Sequence, residues 1–239
     1  MISVVIPCFN EEKTITKVIE KVFAQSSVLE VIVVDDCSTD RSLHYLEQIN
    51  DERLQILKQD KNMGKGAAIR RGFAACKGDY VLIQDADLEY DPSDYDKLLE
   101  PVRRFGADVV FGSRFLTSGS RRAVYFWHRV GNGLLTLLSN MCTNLYLTDM
   151  ETGYKLIRSD VIKNMHLKEN RFGIEPEITG KIAALGLKVY EVPISYNART
   201  YEEGKKINWK DGVSAIRSIL KYSSRRQRSL TRSDYLRHK

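Results

Sequence analysis

Long apolar runs are missing from this sequence. No stretch reaches the roughly 18 consecutive apolar residues of a membrane-crossing helix, so no spanning segment is expected. Met1 leads directly into the strand-like ISVVIP, with no charged n-region, apolar h-region or cleavage site, so no secretory leader is expected either. Cysteine is scarce: Cys8, Cys37, Cys76 and Cys142 stand far apart, with no C-x-x-C pair and no metal-ligand partner at finger spacing. That pattern reads as free thiols in a reducing compartment, and the expected setting is the cytoplasm. No internal repeat is present.

What is present suits one large soluble domain, or a domain with an appendage. The chain has 239 residues, 43% hydrophobic and 28% charged. Its net charge of +6 is unevenly spread. Between Arg217 and Lys239 eight Lys or Arg (217, 221, 225, 226, 228, 232, 237 and 239) face one acid, Asp234, so the basic bias belongs to the tail.

Over the first 115 residues short apolar runs alternate with helix-like segments. Strands are expected at Ile2 to Ile6 (stopped by Pro7), Val31 to Val34, Leu54 to Leu57, Tyr80 to Ile83 and Val109 to Phe111. Helices are expected at Glu11 to Ala24, after a Ser38-Thr39-Asp40 cap, at Gly64 to Ala75 and at Asp94 to Phe105. Near-continuous apolar strands with helices between them imply an α/β fold with a mainly parallel sheet covered on both faces. Ligands of such sheets lie beyond the carboxyl ends of the strands. There the sequence places PCFNEE, DDCSTD, QDKNMGKG, QDADLE and GSRF, five polar or glycine-rich clusters that converge on one rim suited to a polar, anionic ligand.

The fourth of these poses the sharpest chemical question, because VLIQDADLEYDP follows a buried strand with Asp85, Asp87, Glu89 and Asp91. Crowded carboxylates repel one another unless a cation sits among them. Asp85 and Asp87 lie one residue apart, point to one side of a continuing strand, and carry the hard oxygens that suit Mg²⁺ or Mn²⁺. An acidic turn with solvated side chains is the plainer alternative.

Beyond Arg114 comes the basic loop TSGSRR (117–122), then VYFWHRVGNGLLTLLSNMCTNLYL. The helical spacing of Leu134, Leu137, Leu138, Met141 and Leu145 reads as ordinary core in preference to a membrane-surface or acceptor-groove helix. DMETGYKLIRSDV, RFGIEPEITGKIAALG and the strand-like KVYEVPISY follow. A last helix, Trp209 to Tyr222, precedes a serine- and arginine-rich tail expected to be disordered.

PCFNEE, VIVVDDCSTD, NMGKGAAIRRG, DADLEYDP, FGSRF, GN…N…TDMETGYK and VPISYNART, in this order, resemble a family-two glycosyltransferase of GT-A (Rossmann-like) fold. The likeness covers about residues 1 to 210 and is greatest to the catalytic domains of polyprenyl-phosphate sugar synthases such as dolichyl-phosphate mannose or glucose synthases. It implies a nucleotide-sugar-binding half (1–115), an acceptor-binding half (116–210) and an amphipathic helix with a basic tail (211–239).

The resemblance also implies roles. Pro7, Asn10 and Glu11 would line the nucleoside, Asp36 would accept from the base, and Gly64, Lys65 and Gly66 would let backbone and positive charge approach the nucleotide of a GDP- or UDP-hexose. The GKG is not a Walker loop, since it lacks the earlier glycine and the Ser or Thr after lysine. Asp85, Asp87 and Glu89 would hold Mg²⁺ or Mn²⁺; Glu89 stands where the synthases commonly have Gln. Arg114 would meet the phosphates and Arg199 the acceptor phosphate, with Lys205 and Lys206 nearby.

A polyprenyl phosphate acceptor needs no general base. A glycan or other hydroxyl acceptor needs one, with Asp149 first and Glu175 or Glu177 next by position. Peripheral contact with the inner face of the membrane is expected from the basic helix and tail. The remaining rivals are a nucleotidyltransferase and a nucleic-acid binder; no nucleic acid is expected, because the acidic rim repels phosphate unless a metal is present.

Overall fold

The computed structural model describes residues 1–116, 122–123, 125–199 and 209–223. Loop residues 117–121, Lys205, Lys206 and the tail beyond 223 lie outside the described residues, and with them most of the tail's basic charge.

The β-branched runs become strands of one seven-stranded sheet: β1 (Ile2–Cys8), β2 (Val28–Asp35), β3 (Leu54–Lys58), β4 (Tyr80–Ile83), β5 (Val109–Ser113), β6 (Lys155–Arg158) and β7 (Val189–Pro193), in the order β3-β2-β1-β4-β6-β5-β7. Of these only β6 is reversed: it pairs antiparallel with both β4 and β5, while the other pairings are parallel. Val4, Val5, Ile6, Ile32, Val33 and Leu82 are fully buried, because the sheet is covered on both faces.

Under one face lie α1 (Ile15–Phe23) and α4 (Tyr95–Phe105), packing Val18, Ile19, Leu98 and Leu99 onto Val4, Ile6 and Val33. Against the other lie α3 (Lys65–Ala75), α6 (Ser159–Lys163) and α7 (Ile174–Leu185), through Ile69, Phe73, Ile162, Ile178 and Ile182. The short α2 (Ser42–Glu47) packs beside α1, and α5 (Phe126–Thr143) and α8 (Trp209–Lys221) pack on one another. Each large aliphatic side chain buried this way contributes about 1.5–3 kcal/mol.

Three expectations need correction. Pro7 does not stop β1: the strand runs on to Cys8 in register with β2, and since β4 pairs only as far as Val5, no ladder bond is needed from the proline nitrogen on that side. The helix after Ser38-Thr39-Asp40 begins only at Ser42, because Ser38 and Thr39 bind Asn10 while Asp40 accepts from Glu12 N and Ser42 N. β6 and α7 were left without an assignment in the sequence.

The largest correction concerns α5. Its buried face is polar (Asn132, Thr136, Ser139, Thr143), whereas Leu134, Leu137 and Met141 are 62%, 56% and 75% exposed. These three point outward, with Trp127 at 78% and Phe126 at 69% extending them, while Leu138 is half-buried and Leu145 packs against the core as expected; Val213, Ile216 and Leu220 of neighbouring α8 are also exposed. Among the described residues no helix is long and apolar enough to cross a membrane.

The end of α8 is seated on α7 at Gly180, where an added Cβ would lie 2.0 Å from the backbone oxygen of Tyr222. Gly180→Ala is therefore expected to lower stability by about 2 kcal/mol through overpacking, read as a fall in melting temperature.

Candidate functional site

Loops from the carboxyl ends of β1, β2, β4 and β5 meet at one rim, as expected. Asn10, at φ 54°, binds the β2 loop through Thr39 N (2.8 Å), and Glu11 N donates to Ser42 Oγ at 2.8 Å, so the first two strand ends form one unit. Pro7 lies one residue inside this unit, within β1.

Asp36 is almost wholly buried, and its carboxylate accepts from Gln59 Nε2 (2.6 Å), Met63 N (2.7 Å) and Gly64 N (2.7 Å). It holds the loop that leads into α3. Gly64 has φ 95°, and a Cβ there would meet Asn170 O at 2.5 Å, while one at Gly66 would meet Glu169 O at 2.4 Å. These glycines allow the 169–170 backbone to pack closely, which sequence spacing alone does not reveal.

That seating delivers Lys65 to the acids. Its Nζ lies 2.7 Å from Asp85 Oδ1 and 3.4 Å from Glu175 Oε1. Glu175 is bound at 2.5 Å by Lys155, fully buried on β6, so a chain of alternating charge runs Asp85–Lys65–Glu175–Lys155. Burial alone would push the Lys65 ammonium toward neutrality, but Asp85 and Glu175 overcome it and raise its pKa. Lys65 is therefore a fixed cation.

At the other side of the β4 end, Asp87 pairs with Arg199 Nη2 and accepts from Glu89 N at 3.0 Å. Its pKa is raised to about 7, chiefly by burial and then by the charges of Asp85 and Glu89, against the pull of Arg199. Glu89 accepts from Tyr196 OH (3.1 Å) and Arg199 N (2.8 Å), which ties the 196–199 segment to the site. Arg199 Nη1 also reaches Glu11 at 3.3 Å.

Arg114, at the end of β5, is closed on Asp149 by Nε (2.6 Å), Nη2 (2.7 Å) and its own backbone N (3.0 Å), and Asn132 adds a contact at 3.2 Å. Both oxygens of Asp149 are engaged and the residue is fully buried. Glu177 is buried as well, accepting from Lys168 N, Glu169 N and Lys181 Nζ.

Two residues of this site escaped the sequence reading. Lys155 looked like an ordinary strand residue; its signal was its place six residues after Asp149. Glu151 keeps some surface, but its Oε1 is enclosed without a hydrogen-bond partner, and burial, with Glu175 second, raises its pKa to about 7.

The acids at the β4 end are the donor set for a divalent cation. Three hard carboxylates, Asp85, Asp87 and Glu89, stand within reach of chain cations, and Asp87 is poorly stabilised as an anion. Among the described residues no three acids, cysteines or histidines converge to enclose an ion by themselves. Asp85, Asp87 and Glu89 thus do not enclose an ion as a set of three; one or two of them, completed by waters and substrate phosphate oxygens, is the arrangement that Mg²⁺ or Mn²⁺ would use.

The comparisons with known proteins bear on family and fold. The profile described as Glycosyl transferase family 2 matches residues 3–165. The chain belongs to that family. A dolichol-phosphate mannosyltransferase of Pyrococcus furiosus is 28% identical over 85% of this chain and 58% of its own length. The low-salt glycan biosynthesis hexosyltransferase Agl6 of Haloferax volcanii is 31% identical over 92% of this chain and 53% of its own. The chain thus spans little more than half the length of these relatives. Among solved structures, glucosyl-3-phosphoglycerate synthase of Mycobacterium tuberculosis, in complex with Mn²⁺, UDP and glucosyl-3-phosphoglycerate, superposes with a TM-score of 0.68 at 22% identity, over 93% of this chain and 80% of that one. The fold is GT-A.

Glu151 provides a pH test. An acid near 4.5 when unfolded and near 7 when folded is protonated in both states at low pH; as pH rises through this interval the native state is penalised for the charge. Glu151→Gln, neutral throughout, is expected to melt higher than wild type at pH 8, by on the order of 2 kcal/mol, with the gain gone at pH 4.

Proposed function

We propose that this chain is a metal-dependent inverting hexosyltransferase that moves a sugar from a nucleoside-diphosphate donor to a polyprenyl phosphate, in peripheral contact with the inner face of a membrane. The observation that carries the acceptor is a cleft of about 300 Å³ lined by Arg114, Phe115, Arg122, Phe126, Arg129 and Tyr196. Three arginines suit a phosphate, and the aromatic walls continue into the outward apolar stripe of α5, which suits a lipid tail. Tyr196 joins this cleft to the donor side through Glu89. Relatives named dolichol-phosphate mannosyltransferase and, in Trichomonas vaginalis, dolichyl-phosphate beta-glucosyltransferase ALG5A support the same reading.

In this reading Asn10 and Glu11 face the nucleoside, and Asp36 fixes the loop that presents Lys65. Asp85 and Asp87, with Glu89 beside them, would hold the divalent cation, which when bound would supply Lewis-acid stabilisation to the leaving diphosphate. Arg114, already oriented by Asp149, offers its remaining face to phosphate, and Arg199 serves the phosphates of the closed site. A lipid phosphate is ionised near neutral pH and needs positioning, not deprotonation. One observation favours a second reading, a hydroxyl acceptor: Glu151 titrates near neutral pH with an unpartnered oxygen, as a general base would.

Transfer by the purified protein with Mn²⁺ or Mg²⁺, from GDP- and UDP-hexoses, with and without a short polyprenyl phosphate, tests the first reading. Turnover should require the lipid phosphate and fall at least about 100-fold in Asp87→Asn. Arg129→Ala should raise the lipid KM about tenfold and leave the donor KM in place. Donor binding with no transfer to the lipid, together with transfer to a saccharide that Glu151→Gln abolishes, would establish the second reading instead.

A further inference from the structure

The acids at the β4 end are already matched with cations of the chain itself, but the two cations are held very differently. Lys65 is enclosed between Asp85 at 2.7 Å and Glu175 at 3.4 Å, within a network that extends to Lys155. Arg199 instead spreads one guanidinium over three carboxylates: Nη1 to Glu11 at 3.3 Å, Nη2 to Asp87, and Nε 3.7 Å from Glu89. Its Nε is buried yet makes no hydrogen bond. The contrast with Arg114 is direct, since that guanidinium grips Asp149 by two nitrogens at 2.6 and 2.7 Å.

Arg199 therefore stands where positive charge is demanded, without the fork geometry that makes an arginine pair durable. Its backbone N is separately anchored on Glu89 at 2.8 Å, so the side chain can leave while the chain stays in place.

We propose that Arg199 is an internal counter-ion that occupies the cation position of the donor site and gives it up when a divalent cation and a nucleoside diphosphate arrive. This deepens the metal-dependent reading above and rests on it. Exchanging one cation for another keeps Asp87 and Glu89, the carboxylates common to Arg199 and the metal set, neutralised throughout, so they are never left to their own repulsion. The released guanidinium, still tethered beside Glu89, turns to the phosphate oxygens that come with the ion. The metal alone must compete with Arg199, whereas metal and diphosphate together give the arginine a new partner. Metal and nucleotide binding are consequently cooperative, and by linkage each strengthens the other equally.

The test is Mn²⁺ binding to the full chain, followed by the electron paramagnetic resonance signal of free Mn²⁺, with and without GDP or UDP. Wild type should bind Mn²⁺ weakly alone and much more tightly with the diphosphate. Arg199→Gln should bind Mn²⁺ alone about tenfold tighter and gain less from the diphosphate. Arg199→Lys keeps the charge and the fold even if the glutamine variant is unstable, and it should leave binding of Mn²⁺ alone within about threefold of wild type while weakening the coupling. Unchanged or weaker binding of Mn²⁺ alone by a folded Arg199→Gln overturns the counter-ion role and leaves metal dependence standing. Absence of Mn²⁺ binding by all three proteins, with and without diphosphate, overturns both.

Discussion

Negative charge gathered at the ends of parallel strands has to be neutralised, and much of the architecture around this site answers that need. The cations come from far along the chain: Lys65 reaches Asp85 from α3, Lys155 reaches Glu175 from β6, and Arg199 reaches Asp87 across 112 residues. Such pairs are poor sources of net stability, because desolvation consumes most of their attraction, but removing one partner is costly. Their effect is geometric. Each requires a particular loop to sit at a particular place, and together they join the elements before Arg114 to those after it.

Much of this was legible in sequence, for identifiable reasons. Strands β1 to β5 announce themselves because strands buried on both faces are nearly continuous in Val, Ile and Leu, and their carboxyl ends then locate the rim. β6 did not, because its four residues place only Leu156 and Ile157 between Lys155 and Arg158, and an antiparallel insertion has no local signature. The roles of Gly64 and Gly66 were hidden for a related reason: the backbone they accommodate, at 169–170, lies about a hundred residues away. The three donors that Asp36 meets, Gln59, Met63 and Gly64, were hidden too, because they lie beyond β3 and an acid after a strand carries no local sign of them.

α5 shows where periodicity stops being informative. The spacing of Leu134, Leu137 and Met141 defines a stripe but not the side on which the protein lies. Here the inner face is Asn132, Thr136, Ser139 and Thr143, since the segment it covers, 147–150, offers polar groups: Met150 N donates to Thr136 Oγ1 and Asn132 Nδ2 to Asp149. Small polar residues let that loop approach and satisfy it. The apolar side is then left outward, beside the exposed Val213, Ile216 and Leu220 of α8 and next to the three-arginine cleft. Large outward apolar faces on adjoining helices mark an interaction surface, and their continuity with a cationic cleft is what the proposed lipid-phosphate acceptor rests on.

The acids of the site divide by what they accept. Asp36, Glu177 and Glu191 take backbone N–H groups, of residues 63 and 64, 168 and 169, and 148 and 149 respectively. A ligand could replace such a donor only by unmaking the loop that carries it, so these carboxylates are committed to architecture. Asp85 and Glu175 meet a lysine within a closed network, and Asp149 meets a bidentate arginine. Asp87 is different: besides one N–H its neutralisation comes from a guanidinium that is only partly satisfied itself, while burial, and then the charges of Asp85 and Glu89, raise its pKa to about 7. A side-chain cation can be exchanged for another cation without disturbing any loop. By that criterion Asp87, in the middle of the acid cluster that interrupts VLIQDADLEYDP, is the carboxylate whose partner is free to change, and chemistry that needs a cation to come and go is best placed there.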